Sequence, residues 1–179
     1  AAAKENGPAG VASAIVAGGG SDVSGALRTG PATWSTPVRL SEAGKPSVSN
    51  SARAAVGSNG SLHAVWVDSS NSKLIFATLE PGGGLARTTL HEVAGGSIAT
   101  DPAAPAIAAD AAGRVAVAWT QVVSGVRTVK AKLREPGGAF SAAMDVSPTT
   151  NEPRGNPLLA IDRHGRPVAT WSTSASIGT

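Results

Sequence analysis

The sequence predicts an all-β protein assembled from a repeating unit of four short strands. Three observations carry that expectation. Trp66, Trp119 and Trp171 stand 53 and 52 residues apart, and Gly60, Gly113 and Gly165 keep the same intervals, the self-similarity of a repeat architecture. Short alternating runs are bounded by Gly, Pro, Asp and Asn, as strands joined by tight turns require. No segment sustains a helical period over ~11 residues without an interrupting Gly or Pro.

The unit is clearest in Ala52–Trp66 (ARAAVGSNGSLHAVW), Pro105–Trp119 (PAIAADAAGRVAVAW) and Pro157–Trp171 (PLLAIDRHGRPVATW). Its first strand, Pro157–Asp162 in the last copy, is rich in alanine: Ala52, Ala54, Ala106, Ala108 and Ala160. Small side chains suit an inner position where strands of several units converge. Asp110 and Asp162 each precede their glycine by three residues, and Gly57 takes that place in the first copy. In such a hairpin loop the Asp caps the turn and the Gly supplies a positive φ. The second strand, Val115–Thr120, puts Val115, Val117 and Trp119 on one face and Ala116, Ala118 and Thr120 on the other. Both faces are largely apolar, as when one sheet is stacked between two others. Third strands follow at Lys73–Leu79 and Val126–Leu133 and run into Pro81-Gly82-Gly83 and Pro136-Gly137-Gly138. Fourth strands follow at Leu85–Val93 and Phe140–Val146. Trp34–Ser41 (WSTPVRLS) matches Phe140–Ser147 at an offset of 106, twice the repeat, so Trp34, Leu85 and Phe140 share one position, expected in the core. Arg39, Glu42, Thr88, Thr89 and Asp145 make this strand polar, as an outer edge should be.

Four-stranded units of this length, small inside and polar outside, describe β-propeller blades. On this frame residues 1–179 form a single repeat domain with a partial blade at 7–46, blades at 47–99 and 100–150, and a partial blade at 151–179: slightly over three blades. Closed propellers have about 4–8 blades, and an open arc exposes apolar blade faces. The expectation is therefore a homo-oligomer or part of a longer propeller chain.

Composition removes several functions. There is no Cys, which excludes a disulfide scaffold, thiol catalysis and Cys-ligated metal. The 15 Lys and Arg against 12 Asp and Glu give a net charge of +3. They are spread along the chain without the basic stripe of a nucleic-acid binder. No apolar stretch reaches the ~18–20 residues of a membrane span. With 41% hydrophobic residues and a mean hydropathy of +0.04 the chain is too apolar for a disordered tail. Ala1–Gly20 lacks the charged segment and apolar core of a signal peptide; it is compatible with the start of a mature chain.

His63, His91 and His164 share no repeat position and no metal-ligand spacing, so no metal is expected. Asp110 and Asp162 read either as paired carboxylates of adjacent blades or as turn caps; Gly57 in the first copy weighs against a shared catalytic role. Asp68 and Glu80 sit in other loops and form no acid/base pair. There is no Gly-x-Ser-x-Gly elbow. Gly18-Gly19-Gly20 and Gly82-Gly83-Gly84 precede no helix, so neither cradles phosphate and no cofactor is expected. Trp66, Trp119 and Trp171 have two readings. Each is the large filler between neighbouring blades, which the alternation with Val and Ala favours, or a platform on which a sugar ring stacks. The candidate ligand-binding residues are these three tryptophans, with Arg127 as an accessory.

The segments AIAADAAGRVAVAW, LAIDRHGRPVATW and WSTPVRLS resemble blades of secreted bacterial β-propellers, the sialidase-like repeat proteins. The resemblance implies an extracellular location and a carbohydrate or protein ligand. The chain departs from the sialidase pattern twice: no repeat carries the aspartic box, and without any Tyr the Tyr nucleophile that the resemblance would supply is missing. The expectation is a non-catalytic extracellular binding module, lectin-like, holding carbohydrate in clefts between blades. The alternatives are a protein–protein scaffold or a fragment of a larger propeller enzyme of glycosidase type.

Overall fold

The computed structural model describes residues 10–17, 20–48, 50–99, 104–148 and 155–173. Among these the regular structure is all β, in four antiparallel sheets that follow one another along the chain. The first sheet is β1 (Gly10–Ala17), β2 (Gly20–Leu27) and β3 (Val38–Arg39). The second is a four-stranded meander of β4 (Arg53–Val56), β5 (Leu62–Val67), β6 (Lys73–Leu79) and β7 (Leu85–Glu92). The third repeats that meander with β9 (Ala106–Ala109), β10 (Val115–Val123), β11 (Val126–Arg134) and β12 (Met144–Asp145). Here β8 (Gly96–Ile98) pairs with the far end of β10, along the edge that β9 also uses. The fourth is the hairpin of β13 (Leu158–Ile161) and β14 (Pro167–Thr170). The described sheets close into no barrel or ring.

The turns follow from the residues that punctuate them. Gly60, Gly113 and Gly165 all take positive φ (81°, 91° and 78°), a region a side chain disfavours. In each copy the same two backbone bonds close the loop, as in Asp110 N–H to Arg114 O (3.1 Å) and Gly113 N–H to Asp110 O (3.1 Å). Between β10 and β11, Ser124 and Gly125 both have positive φ, the pattern of a type I′ hairpin.

The second sheet is buried on both sides. Every residue of β5 is buried. Leu62, Ala64 and Trp66 join Val23, Leu27 and Leu40 of the first sheet in one core cluster. Val65 and Val67, with Leu74 and Phe76 of β6, join Val115, Val117 and Trp119 of the third sheet in another. Alternation along one strand thus serves two interfaces. The alanine-rich first strands lie against one another, β4 beside β9 and β9 beside β13, where a larger side chain would hold the sheets apart. The outer strand β7 is mostly exposed.

The fourth strands differ from expectation. Phe140–Val146 yields only the two residues of β12, plus a bridge between Phe140 and Arg134. Serine hydroxyls replace the missing ladder: Leu133 N–H donates to Ser141 Oγ (3.1 Å) and Val129 N–H to Ser147 Oγ (2.9 Å). The first sheet does the same 106 residues earlier, with Leu27 N–H to Ser35 Oγ (3.0 Å) and Val23 N–H to Ser41 Oγ (3.1 Å).

Candidate functional site: a cleft between the second and third sheets

The hairpin turns carry the most visible charges, and they are structural. Asp110 Oδ1 accepts the N–H groups of Ala112 and Arg114 (both 2.9 Å), while Oδ2 pairs with Arg114 Nη1 (2.9 Å). Asp162 repeats the arrangement with His164, Arg166 and the Arg166 guanidinium. For Asp110, burial would raise the pKa, but the bonds from Arg114 and Ala112 outweigh it and hold it below the usual carboxylate range. For Asp162 the Arg166 N–H leads the same lowering. Both carboxylates are committed to their own turns. The arginine after each glycine completes the motif, a partnership that Asp-x-x-Gly-Arg spacing signals and that the sequence reading passed over.

The first repeat solves the same turn differently. A Cβ at Gly57 would stand 2.7 Å from His63 Nε2 and 2.8 Å from Ser61 Oγ. The imidazole therefore fills the space that a carboxylate takes in the other copies. His63 is 5% exposed, stacked on Phe76 (centroids 5.8 Å apart), with Nδ1 3.1 Å from Thr78 Oγ1. Burial, helped by the nearby Arg134 charge, pushes its pKa down to about 4.

Around this histidine two clefts run together between the outer parts of the second and third sheets. One, about 360 Å³, is lined by Phe76, Arg87, Thr88, Lys132, Arg134 and Phe140, among others. The other, about 560 Å³, is lined by Ser58, Asn59, His63 and Glu80 on one side and by Gly113 and Pro136 on the other. Thr78, Ala86, Arg134 and Gly138 border both. Phe76 and Phe140 meet edge to face at 5.0 Å, and the Arg134 guanidinium lies 5.2 Å from each ring centroid, within cation–π range. Burial pulls the Arg134 pKa below its ordinary value, with Glu80 opposing. Glu80 accepts a bond from Asn59 Nδ2 (3.1 Å).

The four sequence candidates lie elsewhere. Trp66 is 2% exposed and Trp119 0%. Each sits in a core between two sheets, and Trp66 also borders a cleft of about 370 Å³ with Glu42, Asp68 and Arg87. Trp119 also packs on His91, whose Nε2 is 2.9 Å from Gln121 Oε1. Trp171 is half-buried beyond β14. Arg127 is half-buried opposite Val122, near the hairpin end of β11. No described contact brings these four together. Of the residues that do converge, Phe76, Arg134 and Phe140, only the last two carry a sequence signal: they repeat the spacing of Arg28 and Trp34, which form the equivalent bridge, and nothing in that spacing points to Phe76. Trp34 is 48% exposed, against its expected core place.

Among the described residues no group of His, Asp and Glu is placed to hold a metal, and no helix is long and apolar enough to cross a membrane. Gly18 and Gly19 of the first glycine loop lie outside the described residues. No protein-family description, curated protein or solved structure matches the chain.

Proposed function

We propose that the four sheets are blades of a β-propeller and that the chain is a non-catalytic binding module for carbohydrate. The observation that carries the reading is the joined cleft between the second and third sheets. It combines the half-buried Phe140 ring, backed by the buried Phe76, with a guanidinium and several hydroxyl and amide groups, the mixture that a sugar's apolar ring face and its hydroxyls require. The resemblance of the repeats to secreted propeller blades supports the same class of ligand and an extracellular setting. Glycoside hydrolysis usually needs two carboxylates about 5–9.5 Å apart across the bond. Glu80, held by Asn59, is the one carboxylate among the described lining residues, which favours binding over catalysis.

The propeller reading rests on a second feature. Ala116 and Ala118 of β10 face the fourth sheet and are 1% and 0% exposed. The equivalent face of the fourth sheet carries Leu158 and Val168 at 68% and 51% exposure. An apolar face this open calls for another blade, from a longer chain or a second copy.

The test is titration of a panel of oligosaccharides by calorimetry, with Phe140→Ala alongside. Saturable binding weakened about tenfold or more in Phe140→Ala supports the reading. Binding of no saccharide, or binding indifferent to Phe140, overturns it.

A further inference from the structure

Resting on the carbohydrate reading, we infer that the cleft takes an acidic saccharide, with Arg134, Lys132 and Arg87 gripping a carboxylate or sulfate group on the sugar. The lining of the smaller cleft contains these three cations and no acidic residue. Three other arginines are neutralised in place: Arg39 by Asp22, Arg114 by Asp110 and Glu135, Arg166 by Asp162. Arg134 has no carboxylate within ion-pair distance and no hydrogen-bond acceptor among the described residues. It rests on the two phenylalanines instead. A half-buried guanidinium with its N–H fork unspent suits a planar or tetrahedral oxyanion, which it can bind through two parallel bonds.

The charged heads of its neighbours are each held by one backbone carbonyl. Lys132 Nζ donates to the Leu90 carbonyl (2.7 Å) and Arg87 Nε to the Leu40 carbonyl. An ammonium has three N–H donors and a guanidinium five, so each keeps free donors after these bonds. Phe140, half-buried beside Arg134, offers ring area for the sugar face. Carboxylate and sulfate are served by the same cations, and only the ligand's own chemistry separates them.

The experiment titrates the chain with three soluble probes: an oligogalacturonate, a sulfated oligosaccharide and a neutral gluco-oligosaccharide, at low and at physiological salt. A single-stranded oligonucleotide serves as a fourth. The expected result is that one or both acidic saccharides bind at least tenfold more tightly than the neutral one, and that salt weakens them. Preference for one acidic probe identifies the anionic group. Arg134→Gln and, separately, Lys132→Gln should each lower that affinity tenfold or more while circular dichroism stays unchanged. The Lys132 variant keeps the test valid if loss of Arg134 disturbs the phenylalanine pair. Neutral and acidic saccharides binding alike would overturn the inference and leave the carbohydrate reading standing. No saccharide binding would overturn both. Binding of the oligonucleotide alone would replace the ligand class.

Discussion

His63 occupies the volume that a carboxylate fills in the other repeats, and that exchange makes it titratable in a useful window. Its hydrogen-bond partners are neutral, Ser61 and Thr78, and burial, helped by the Arg134 charge, holds the folded imidazole uncharged with a pKa of about 4, while the unfolded chain takes up a proton near the ordinary value of 6.5. The folded state therefore binds fewer protons, and stability present above pH 6.5 is lost as pH falls toward 4, by roughly 3 kcal/mol over the whole window. His91, lowered by burial with Gln121 opposing, adds in the same direction. Urea unfolding at pH 7 and pH 4.5 should show this loss in the native chain and a clearly smaller one in His63→Gln, which keeps hydrogen-bonding capacity without titrating. An equal loss in both would mean that the ring is not held neutral. Asp110 and Asp162 act only at lower pH, because their folded pKa values lie below 3.8.

At the scale of elements, the short fourth strands β3 and β12 are held by serine hydroxyls as well as by backbone bonds. Ser147 is 4% exposed and satisfies the Val129 N–H. Ser147→Ala leaves that donor without its acceptor and should cost about 1–3 kcal/mol in equilibrium unfolding. Ser141→Ala, at an exposed position where water can substitute, should cost less than about 1 kcal/mol. Trp119→Ala should cost about 3–5 kcal/mol because it empties the core between two sheets, and Trp34→Ala far less. The strands β5, β6, β7, β10, β11 and β13 were legible in sequence because repeated Gly, Asp and Pro residues punctuate them and the apolar alternation between is strict. Two features were not. β8 is three residues with no pattern of its own and exists because β10 runs on to Val123 and offers it an edge. The cleft was illegible because its residues come from different repeats at unlike positions. Phe76 and Phe140 are 64 residues apart, off the 53-residue period, and no local spacing announces that two adjacent sheets bring them to 5.0 Å. The tryptophans announced themselves by period, and period is a property of packing.

For the whole molecule, the open face of β13 and β14 sets the expected state of association. Light scattering on the isolated chain should give a mass above 17.6 kDa, and Leu158→Glu with Val168→Glu should return it to that value. A native chain at 17.6 kDa at tens of micromolar would mean that the face is tolerated bare. The last consequence belongs to the hairpin turns. Arg114 reaches across from the third sheet and lies on Gly165 of the fourth, so close that a Cβ there would collide with the guanidinium. Ser58 of the second sheet stands 3.7 Å from where a Cβ on Gly113 of the third would be. Each turn is thus a tooth that indexes the next, and the glycine is the notch that receives it. Gly165→Ala therefore does more than strain one residue at a φ of 78°: it also displaces the Arg114 guanidinium from the notch. The contact between the two neighbouring turns is then lost while each sheet keeps its own backbone ladder.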